Sequence, residues 1–318
     1  MTDELDRFKT DINLSEYAAG QGYCLDKRQS SRNSVVMRHE NGDKIIIARG
    51  TDSHYIYFSV TDHSDNGSII DFVQNRQGMN LGQVRRELRP WIGASATRPR
   101  IQPALYVKAI IPTSKDRQQV ITRWNRMQPL SSHTYLAARG LADGLSDRRF
   151  AGRLRCDERG NAAFAHFDAE GLCGYELKNA NFTGFAPGGI KGVWTSRARL
   201  VDDRLVIAES AIDAMSYHLL HGGATTRYLS IGGSMNDMQP GLVVRAVQLL
   251  PHGATVVLAT DNDPAGTHLA DQLRHIVSTQ ADRDDIVIQE HRPAKHGQDW
   301  NNVLLQKQQQ ALDFGETG

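Results

Sequence analysis

The sequence is poor in cysteine and has no long apolar segment. Its 318 residues include three cysteines, Cys24, Cys156 and Cys173. No two of them form a CxxC pair, which excludes a disulfide framework and a zinc ribbon. No apolar run approaches the roughly 18–20 residues that a membrane helix needs. The first residues are polar and mixed in charge, so we expect no secretory signal, no membrane contact and a cytoplasmic location.

Common catalytic motifs are absent as well. The sequence has no HExxH, no Gly-x-Ser-x-Gly and no P-loop motif, so it provides no ATPase motor of its own. Its composition, 40% hydrophobic and 23% charged, is typical of globular proteins, and its length allows two or three domains.

The net charge of +1 conceals a difference between two parts of the chain. Residues 1–200 hold 29 Lys and Arg against 21 Asp and Glu, a net charge of +8, whereas residues 201–318 hold 8 against 15, a net charge of −7. A basic first part and an acidic second part suit a protein that grips a phosphate backbone with one and metal ions with the other. Solvated surface charge would explain the same difference.

The first 92 residues predict a small module of sheet and helix. Two β-rich runs flank Asn41-Gly42, a strong hairpin signal, and the alternating run 55–60 extends the sheet. Short helices are predicted over 68–78 and 81–89. Residues 93–115 contain three prolines among small and basic residues, which predicts a linker.

The remaining chain predicts two further domains, which makes the whole a multidomain α/β and α+β protein. Residues 116–200 predict a basic α+β domain with irregular β-like segments between 150 and 196. From residue 201, short buried strands alternate with helices, which is typical of a parallel sheet covered on both faces. The predicted strands and helices are 117–127, 131–139, 204–208, 211–223, 227–231, 239–250, 255–260, 265–278 and 285–290.

Three carboxylates directly follow two of these strands. Glu209 follows strand 204–208, and Asp261 and Asp263 follow strand 255–260. Because ligands bind at the carboxyl ends of parallel strands, we expect the three to share one site. Mg²⁺ binds few protein carboxylates and takes phosphate oxygens as further ligands, which is the arrangement that phosphoryl transfer requires.

Each acid also has a simpler structural explanation. Asp263 precedes Pro264 and could be an N-cap with proline in the first helical turn. Glu209 could support the start of the next helix, and Asp213 could be a solvated helix residue.

The same segments carry a family resemblance. LVIAESAIDAMSYHLL, LSIGGS and VVLATDNDPAGTHLADQL together resemble the Toprim domain of bacterial primases, topoisomerases and certain nucleases. ESAID at 209–213 resembles the primase-type glutamate motif, and DNDPAG at 261–266 resembles its Asp-x-Asp motif. Ala265 stands where the topoisomerase version has a third aspartate, which favours the primase-like branch. KHGQDWNNVL at 295–304 resembles the closing Lys-Asp-x-Asn motif.

This resemblance implies a Rossmann-like Toprim domain over 201–318 and a site for Mg²⁺ or Mn²⁺. The residues implied as catalytic are Glu209, Asp261 and Asp263, and those implied as metal ligands are Glu209, Asp261, Asp263, Asp213 and Asp299.

Upstream segments extend the resemblance. YLAARGL at 135–141, the run 159–178 and GGIKGVW at 188–194 resemble the region that precedes Toprim in primase-like proteins of plasmids and mobile elements. In primases this region is the other, basic wall of the cleft. The residues that the resemblance places against template phosphates or an incoming nucleotide are Arg139, Arg153, Arg155, Lys178, Lys191 and Arg197.

The run 55–73 resembles the zinc-ribbon module of bacterial primases, but the cysteine ligands are missing. Cys24, His39, His54 and His63 lack the spacing of a tetrahedral site, so we expect residues 1–92 to be a ribbon-like module without zinc. Tyr55, Tyr57 and Phe58 could stack on bases, although at least two of them are expected in the core.

Three functions remain open at this stage. The first is a primase-like nucleotidyltransferase that uses NTPs on single-stranded DNA during replication or transfer of a plasmid or mobile element, with a replicative helicase or a mobilisation protein as partner. The second is a metal-dependent nuclease with the same acids. The third is a single-strand-binding accessory protein without turnover.

Overall fold

The computed structural model describes residues 4–50, 53–60, 65–92, 101–112 and 114–315. The chain divides into two compact units, Met1–Ser114 and Lys115–Gly318. Antiparallel sheets precede a mostly parallel sheet flanked by helices, which confirms the predicted fold class. Whether 1–92, 93–115, 116–200 and 201–318 are separate segments stays a prediction.

The first unit contains a five-stranded antiparallel sheet whose strands follow chain order. Gly42, with φ of 92°, turns the chain between the second and third strands, as the Asn41-Gly42 signal predicts. The strands are β1 (Cys24–Leu25), β2 (Ser34–Arg38), β3 (Lys44–Arg49), β4 (Tyr55–Ser59) and β5 (Asn66–Ser68).

Four helices cover this sheet, namely α1 (Glu4–Asp11), α2 (Leu14–Gly20), α3 (Ile69–Gln77) and α4 (Leu81–Leu88). A capping box between Ser68 and Asp71 begins α3, and Gly78 ends it in the left-handed conformation. Tyr55 and Tyr57 are buried in the core, whereas Phe58 is 47% exposed. Within the predicted linker, Ile110 is buried in the same core.

The second unit begins with an antiparallel sheet that is more regular than the sequence suggested. Its strands, in the order β10-β9-β8-β7-β6, are β6 (Gln128–Pro129), β7 (Leu154–Cys156), β8 (Ala162–Asp168), β9 (Gly171–Asn179) and β10 (Phe182–Phe185). The glycines in this region, which the sequence suggests as breaks between strands, instead allow close packing. A Cβ at Gly174 would lie 2.4 Å from the Ile190 carbonyl oxygen, and one at Gly192 would lie 2.2 Å from that of Phe167.

The second sheet of this unit has the order β11-β13-β12-β14-β15. Its strands are β11 (Trp194–Thr195), β12 (Arg204–Ala208), β13 (Thr226–Ser230), β14 (Thr255–Ala259) and β15 (Val287–Glu290). The helices of the unit are α5 (Arg117–Arg126), α6 (Thr134–Ala138), α7 (Ala211–His221), α8 (Gln239–Gln248), α9 (Pro264–Thr279) and α10 (Trp300–Gly315). All neighbouring strands are parallel except β11, which pairs antiparallel with β13.

The register brings the carboxyl ends of the central strands to one level. Ala208, the last residue of β12, lies opposite Ser230 of β13 on one side and Ala259 of β14 on the other. The residues that follow these strands therefore emerge at a common edge of the sheet.

The two sheets of the second unit share a hydrophobic core. Phe164 of the first sheet packs in one buried cluster with Trp194, Val206 and Tyr228 of the second and with Trp300 of α10. This packing fixes the antiparallel sheet beside the parallel one. Within the part of the chain that the structure describes, no helix is long and apolar enough to cross a membrane.

Arg149 should be a stability determinant of this unit. It is 8% exposed, and its guanidinium donates to the carbonyl oxygens of Thr226, Gly223 and Ala224 and lies 3.5 Å from Asp202. We expect Arg149→Ala to lower the free energy of unfolding by about 3 kcal/mol, because it leaves buried carbonyl acceptors unpaired and removes one of the two arginines beside Asp202. Urea unfolding followed by circular dichroism measures the change.

The neighbouring Arg148 is the matched control, because it is exposed. Arg148→Ala should change the free energy of unfolding by less than about 0.5 kcal/mol. Equal effects of the two substitutions would contradict the structural role of Arg149.

Candidate functional site

The carboxyl edge of the parallel sheet brings Glu209 and Asp261 together. Glu209 follows β12, and Asp261 comes two residues after β14 ends. The backbone N–H of Asp261 donates to Oε1 of Glu209 over 3.3 Å. The Gly232 and Gly233 N–H groups donate to the Glu209 carbonyl oxygen over 2.7 and 3.2 Å, so the loop after β13 holds the Glu209 backbone from the other side.

The start of α7 is capped by Ser210 and not by Glu209. The Ser210 hydroxyl accepts from the Asp213 N–H over 3.2 Å and donates to Asp213 Oδ2 over 2.5 Å. The Glu209 carboxylate is therefore not used to cap the helix. Asp213 is 6% exposed, and its Oδ1 accepts from the Asn301 N–H over 3.4 Å.

Asp263 does cap a helix, as the simpler explanation predicted. Its Oδ1 accepts from the Gly266 N–H over 2.7 Å at the start of α9, with Pro264 in the first turn. Asp299 acts in the same way for the start of α10, where its Oδ1 accepts from the Asn302 N–H over 2.6 Å. Asp263 and Asp299 each use Oδ1 to cap a helix.

The loop after β14 is tied to the segment that precedes α10. The Asn262 N–H donates to the Gln298 carbonyl oxygen over 3.0 Å, and the Gly297 N–H donates to that of Asn262 over 2.7 Å. The Asn262 side-chain amide donates to the Pro293 carbonyl oxygen over 2.9 Å. These hydrogen bonds explain why Asp299, distant in sequence, belongs to the same edge.

Gly266 lets α9 approach this loop closely. A Cβ at this position would lie 2.2 Å from the Asp261 carbonyl oxygen and 2.8 Å from Oε1 of Glu209. Since real Cβ atoms do not come so close to backbone, the glycine of DNDPAG is a steric requirement.

Burial and mutual repulsion raise the pKa values of the central acids. Burial raises the pKa of Glu209 to about 7. The hydrogen bond from the Asp261 N–H opposes this shift, and the charges of Asp213, Asp263 and Asp299 add to it. Burial and the charges of Asp213, Glu209, Asp299 and Asp263 raise the pKa of Asp261 to about 10. Burial and Asp299 raise the pKa of Asp213 to about 6. The five predicted acids thus form one electrostatic cluster, in which each negative charge disfavours the others.

The cluster has the chemistry of a divalent-cation site. Among the described residues, no three His, Cys, Asp or Glu side chains are gathered closely enough to hold a metal ion as they stand. However, Oδ1 of Asp261 is buried and has no hydrogen-bond partner. A buried, partnerless carboxylate oxygen among other carboxylates fits a hard cation, which would relieve both the missing contact and the repulsion. That these acids are metal ligands and catalytic residues stays a prediction.

Lys178 is coupled to this cluster through Asp213, and Lys191 is coupled to Lys178 and Glu176. On β9, the Lys178 ammonium lies 3.3 Å from the Glu176 carboxylate. Burial lowers the pKa of Lys178, but the charges of Glu176 and Asp213 outweigh burial, so the pKa is raised. The Lys191 ammonium donates to the Ser234 carbonyl oxygen over 2.6 Å, and burial lowers the pKa of Lys191 to about 8. Because Asp213 acts on Lys178, the antiparallel sheet contributes cations beside the acidic edge of the parallel sheet.

Arg139 joins the site through Asn301. Its Nη1 donates to Asn301 Oδ1 over 3.2 Å, while the Asn301 amide donates to the Arg139 carbonyl oxygen over 2.7 Å and to the Ser216 hydroxyl over 3.0 Å. Asn301 is 1% exposed and also contacts Asp213. This asparagine therefore links Arg139 to the acidic cluster.

The other predicted basic residues have different surroundings. The Arg153 guanidinium lies 4.3 Å from the Phe167 ring centre, and the charge of Arg197 adds to burial in lowering the pKa of Arg153. Nη1 of Arg155 donates to the carbonyl oxygens of Trp124, Asn125 and Met127, so a nucleic-acid contact would have to use its other nitrogens. Binding of nucleic acid by Arg153, Arg155 and Arg197 stays a prediction.

Two residues of the site escaped the sequence reasoning. Glu176 was missed although it stands two positions before Lys178 on a strand, a spacing that puts both side chains on one face. Ser210 was missed as a cap although Ser-Ala-Ile-Asp has the spacing of a capping box with Asp in place of Glu.

Comparison with known proteins agrees with this geometry. Residues 206–304 match a family described as Toprim-like, and residues 134–203 match a family described as a protein of unknown function. A 65 kDa protein of Zymomonas mobilis is 29% identical over 178 residues, which cover 52% of this chain and 30% of that protein. The chain thus spans less than a third of the length of this relative.

Among solved structures, the RNA polymerase domain of the primase DnaG from Mycobacterium tuberculosis matches part of this chain. The two chains are 14% identical, and the match covers 59% of this chain and 71% of the primase chain, with a TM-score of 0.30.

Residues 206–304 thus form a Toprim-like domain, which confirms the Toprim resemblance found in the sequence. Toprim domains are typical of metal-dependent phosphoryl-transfer enzymes such as primases, and they generally bind divalent Mg²⁺ or Mn²⁺.

Gly266→Ala should distort the acidic edge. We expect a loss of about 1–3 kcal/mol in unfolding free energy, because the new Cβ overlaps the Asp261 carbonyl oxygen. Thermal unfolding measures the effect. The control is Gly241→Ala in α8, where a Cβ has nothing within 4 Å and where alanine should be neutral or stabilising. If both variants unfolded like the wild type, the close approach at Gly266 would be wrong.

Asp261→Asn should stabilise the metal-free protein at alkaline pH. A raised pKa in the folded state means that the folded protein keeps a proton which the unfolded chain releases above a pH of about 4, so each further rise in pH favours the unfolded chain until the folded-state pKa of about 10 is reached. In EDTA at a pH of about 8 we expect Asp261→Asn to raise the free energy of unfolding by roughly 2 kcal/mol. At a pH of about 5 the increase should be smaller. Urea unfolding at the two pH values measures it.

The matched control is Asp271→Asn, an exposed position of α9. It should be neutral at both pH values. An Asp261→Asn gain that did not depend on pH would show that repulsion is not its cause.

Proposed function

We propose that this chain is a primase-like nucleotidyltransferase, which joins nucleotides on a single-stranded DNA template. The observation that carries the proposal is the buried, partnerless Oδ1 of Asp261 among other carboxylates, with Lys178 near enough for Asp213 to raise its pKa. It indicates that the half-buried Lys178 and the acidic edge lie side by side. A nucleoside triphosphate needs both, because its phosphates require cations and its transfer requires a metal site.

In this proposal Glu209, Asp261 and Asp263 hold Mg²⁺ or Mn²⁺, with Asp213 and Asp299 as further acids. The ion would neutralise charge on the phosphate oxygens of the reacting nucleotide. The chain itself supplies orientation. Ser210 fixes Asp213, and Gly266 allows α9 to hold the Asp261 loop against Glu209.

The basic residues bind and position the nucleic acid and the nucleotide. Lys178 and Lys191 lie on or after β9, next to the acidic edge, and are assigned to phosphates of the incoming NTP. Arg139 is held by Asn301 beside the same acids. The charge of Arg197 lowers the pKa of Arg153, and both residues are assigned to the template backbone, where cations give affinity independent of sequence.

The proposal extends to the cellular setting implied by the sequence resemblance. The reaction would serve replication or transfer of a plasmid or mobile element, together with a replicative helicase or a mobilisation protein. The acidic edge alone would also serve a nuclease, since a metal site can activate water. The experiment is therefore designed to separate the two reactions.

Wild-type protein should incorporate labelled NTPs on single-stranded DNA with Mg²⁺ or Mn²⁺. We expect Glu209→Gln and Asp261→Asn to reduce primer synthesis by about a hundredfold or more, because each removes a carboxylate that stabilises transition-state charge. Gel electrophoresis of the products measures synthesis. Asp271→Asn should retain full activity because it is exposed and remote from the edge in α9.

The same reactions without NTPs test the alternatives. Cleavage of labelled DNA that is lost in Asp261→Asn would assign the site to a nuclease. DNA binding without synthesis or cleavage, unchanged in both acid variants, would assign the chain to the accessory class.

A further inference from the structure

Four aromatic rings meet beside the C-terminal half of α7. Tyr217 and Trp300 are buried, whereas His221, the last residue of α7, and His291, which follows β15, are exposed. The two imidazole centres lie 4.9 Å apart. Trp300 contacts both, with ring centres 5.2 Å from His221 and 4.8 Å from His291. Two exposed imidazoles thus stand side by side on a fixed aromatic base.

The separation of the imidazole centres is that of two ligands on one metal ion. An imidazole nitrogen lies about 2.0–2.1 Å from Zn²⁺, which places the ring centre about 3.2 Å from the ion. Two such rings have centres about 5.2 Å apart at a tetrahedral angle and about 4.5 Å apart at a right angle. The observed 4.9 Å lies between these values.

A hydrogen bond prepares His291 for this role. Its Nδ1 lies 2.8 Å from the Tyr217 hydroxyl. Histidines that bind metals commonly use one nitrogen for the ion and the other for a hydrogen bond that fixes the ring. With Nδ1 held by Tyr217, Nε2 is the nitrogen left for a ligand.

The charges around the pair keep both rings neutral, which is the form that binds metals. Burial, His291 and Lys307 lower the pKa of His221, and burial and Arg204 lower the pKa of His291. The cations Lys307 and Arg204 also oppose an incoming ion, so imidazole bonding and not charge must supply the affinity. That condition selects zinc, nickel or copper over magnesium or calcium.

We propose that His221 and His291 form a two-histidine site for a divalent first-row transition metal, with Tyr217 as the residue that orients His291. Water fills the remaining coordination positions. The ion would join the end of α7 to the segment after β15. This site is separate from the acidic edge and does not depend on the proposed nucleotidyl transfer.

Titration of the full chain with Ni²⁺ in excess Mg²⁺ tests the site, because Mg²⁺ competes at carboxylates and not at imidazoles. Calorimetry should show a Ni²⁺ site that weakens at least about tenfold in His221→Gln and in His291→Gln, and about tenfold in Tyr217→Phe, since outer-shell partners typically contribute that much. In the wild type, Ni²⁺ should also broaden the imidazole resonances of His221 and His291 first.

The control is His268→Gln, an exposed histidine of α9, which should bind Ni²⁺ like the wild type. Thermal unfolding without metal shows whether each variant is folded, and the resonance broadening tests the wild type independently of any substitution. Unchanged Ni²⁺ affinity in the folded double variant His221→Gln/His291→Gln, or first broadening at other histidines, would overturn the proposal.

Discussion

Repulsion between half-buried carboxylates at one sheet edge is the constraint on which the site depends. The parallel register ends β12 and β14 at the same level, so Glu209 and Asp261 meet at partly exposed positions where burial still raises the pKa of both. Such an arrangement lowers the stability of the fold unless something positive enters. A bound cation or proton would relieve this loss of stability, so the packing of the sheet and the chemistry of its edge are linked.

Positive charge approaches the edge from a different sheet, and the shared core makes that approach rigid. Trp194 and Phe164 belong to the buried cluster that holds the antiparallel sheet beside the parallel one. Lys178 extends from that antiparallel sheet and is held by Glu176. Desolvation favours loss of the lysine proton, and Glu176 opposes this by raising the pKa of Lys178. The charge beside the acidic edge therefore depends on both sheets.

The parts of the molecule that could be predicted from sequence are those governed by local pattern. Buried strands and helices of the second unit follow the predicted order with ends shifted by at most a few residues, because short apolar runs alternate with amphipathic ones. Residues 150–196 are predicted as an irregular α+β region, because their glycines serve close packing with segments distant in sequence. The motif at 295–304 includes Asn301, but its hydrogen bonds to Arg139 and Ser216 could not be predicted, since these partners lie far away along the chain.

Helix capping and cation binding are compatible roles for the acids. A carboxylate has two oxygens, so Asp263 and Asp299 can each cap a helix with Oδ1 and still present a second oxygen. Capping also fixes the side-chain torsions in advance, which reduces the entropy lost when a ligand binds. Asp261 has no such task, and its Oδ1 is the buried atom without a partner. The caps therefore position the outer acids, while Asp261 keeps a buried oxygen whose hydrogen-bonding capacity is unmet.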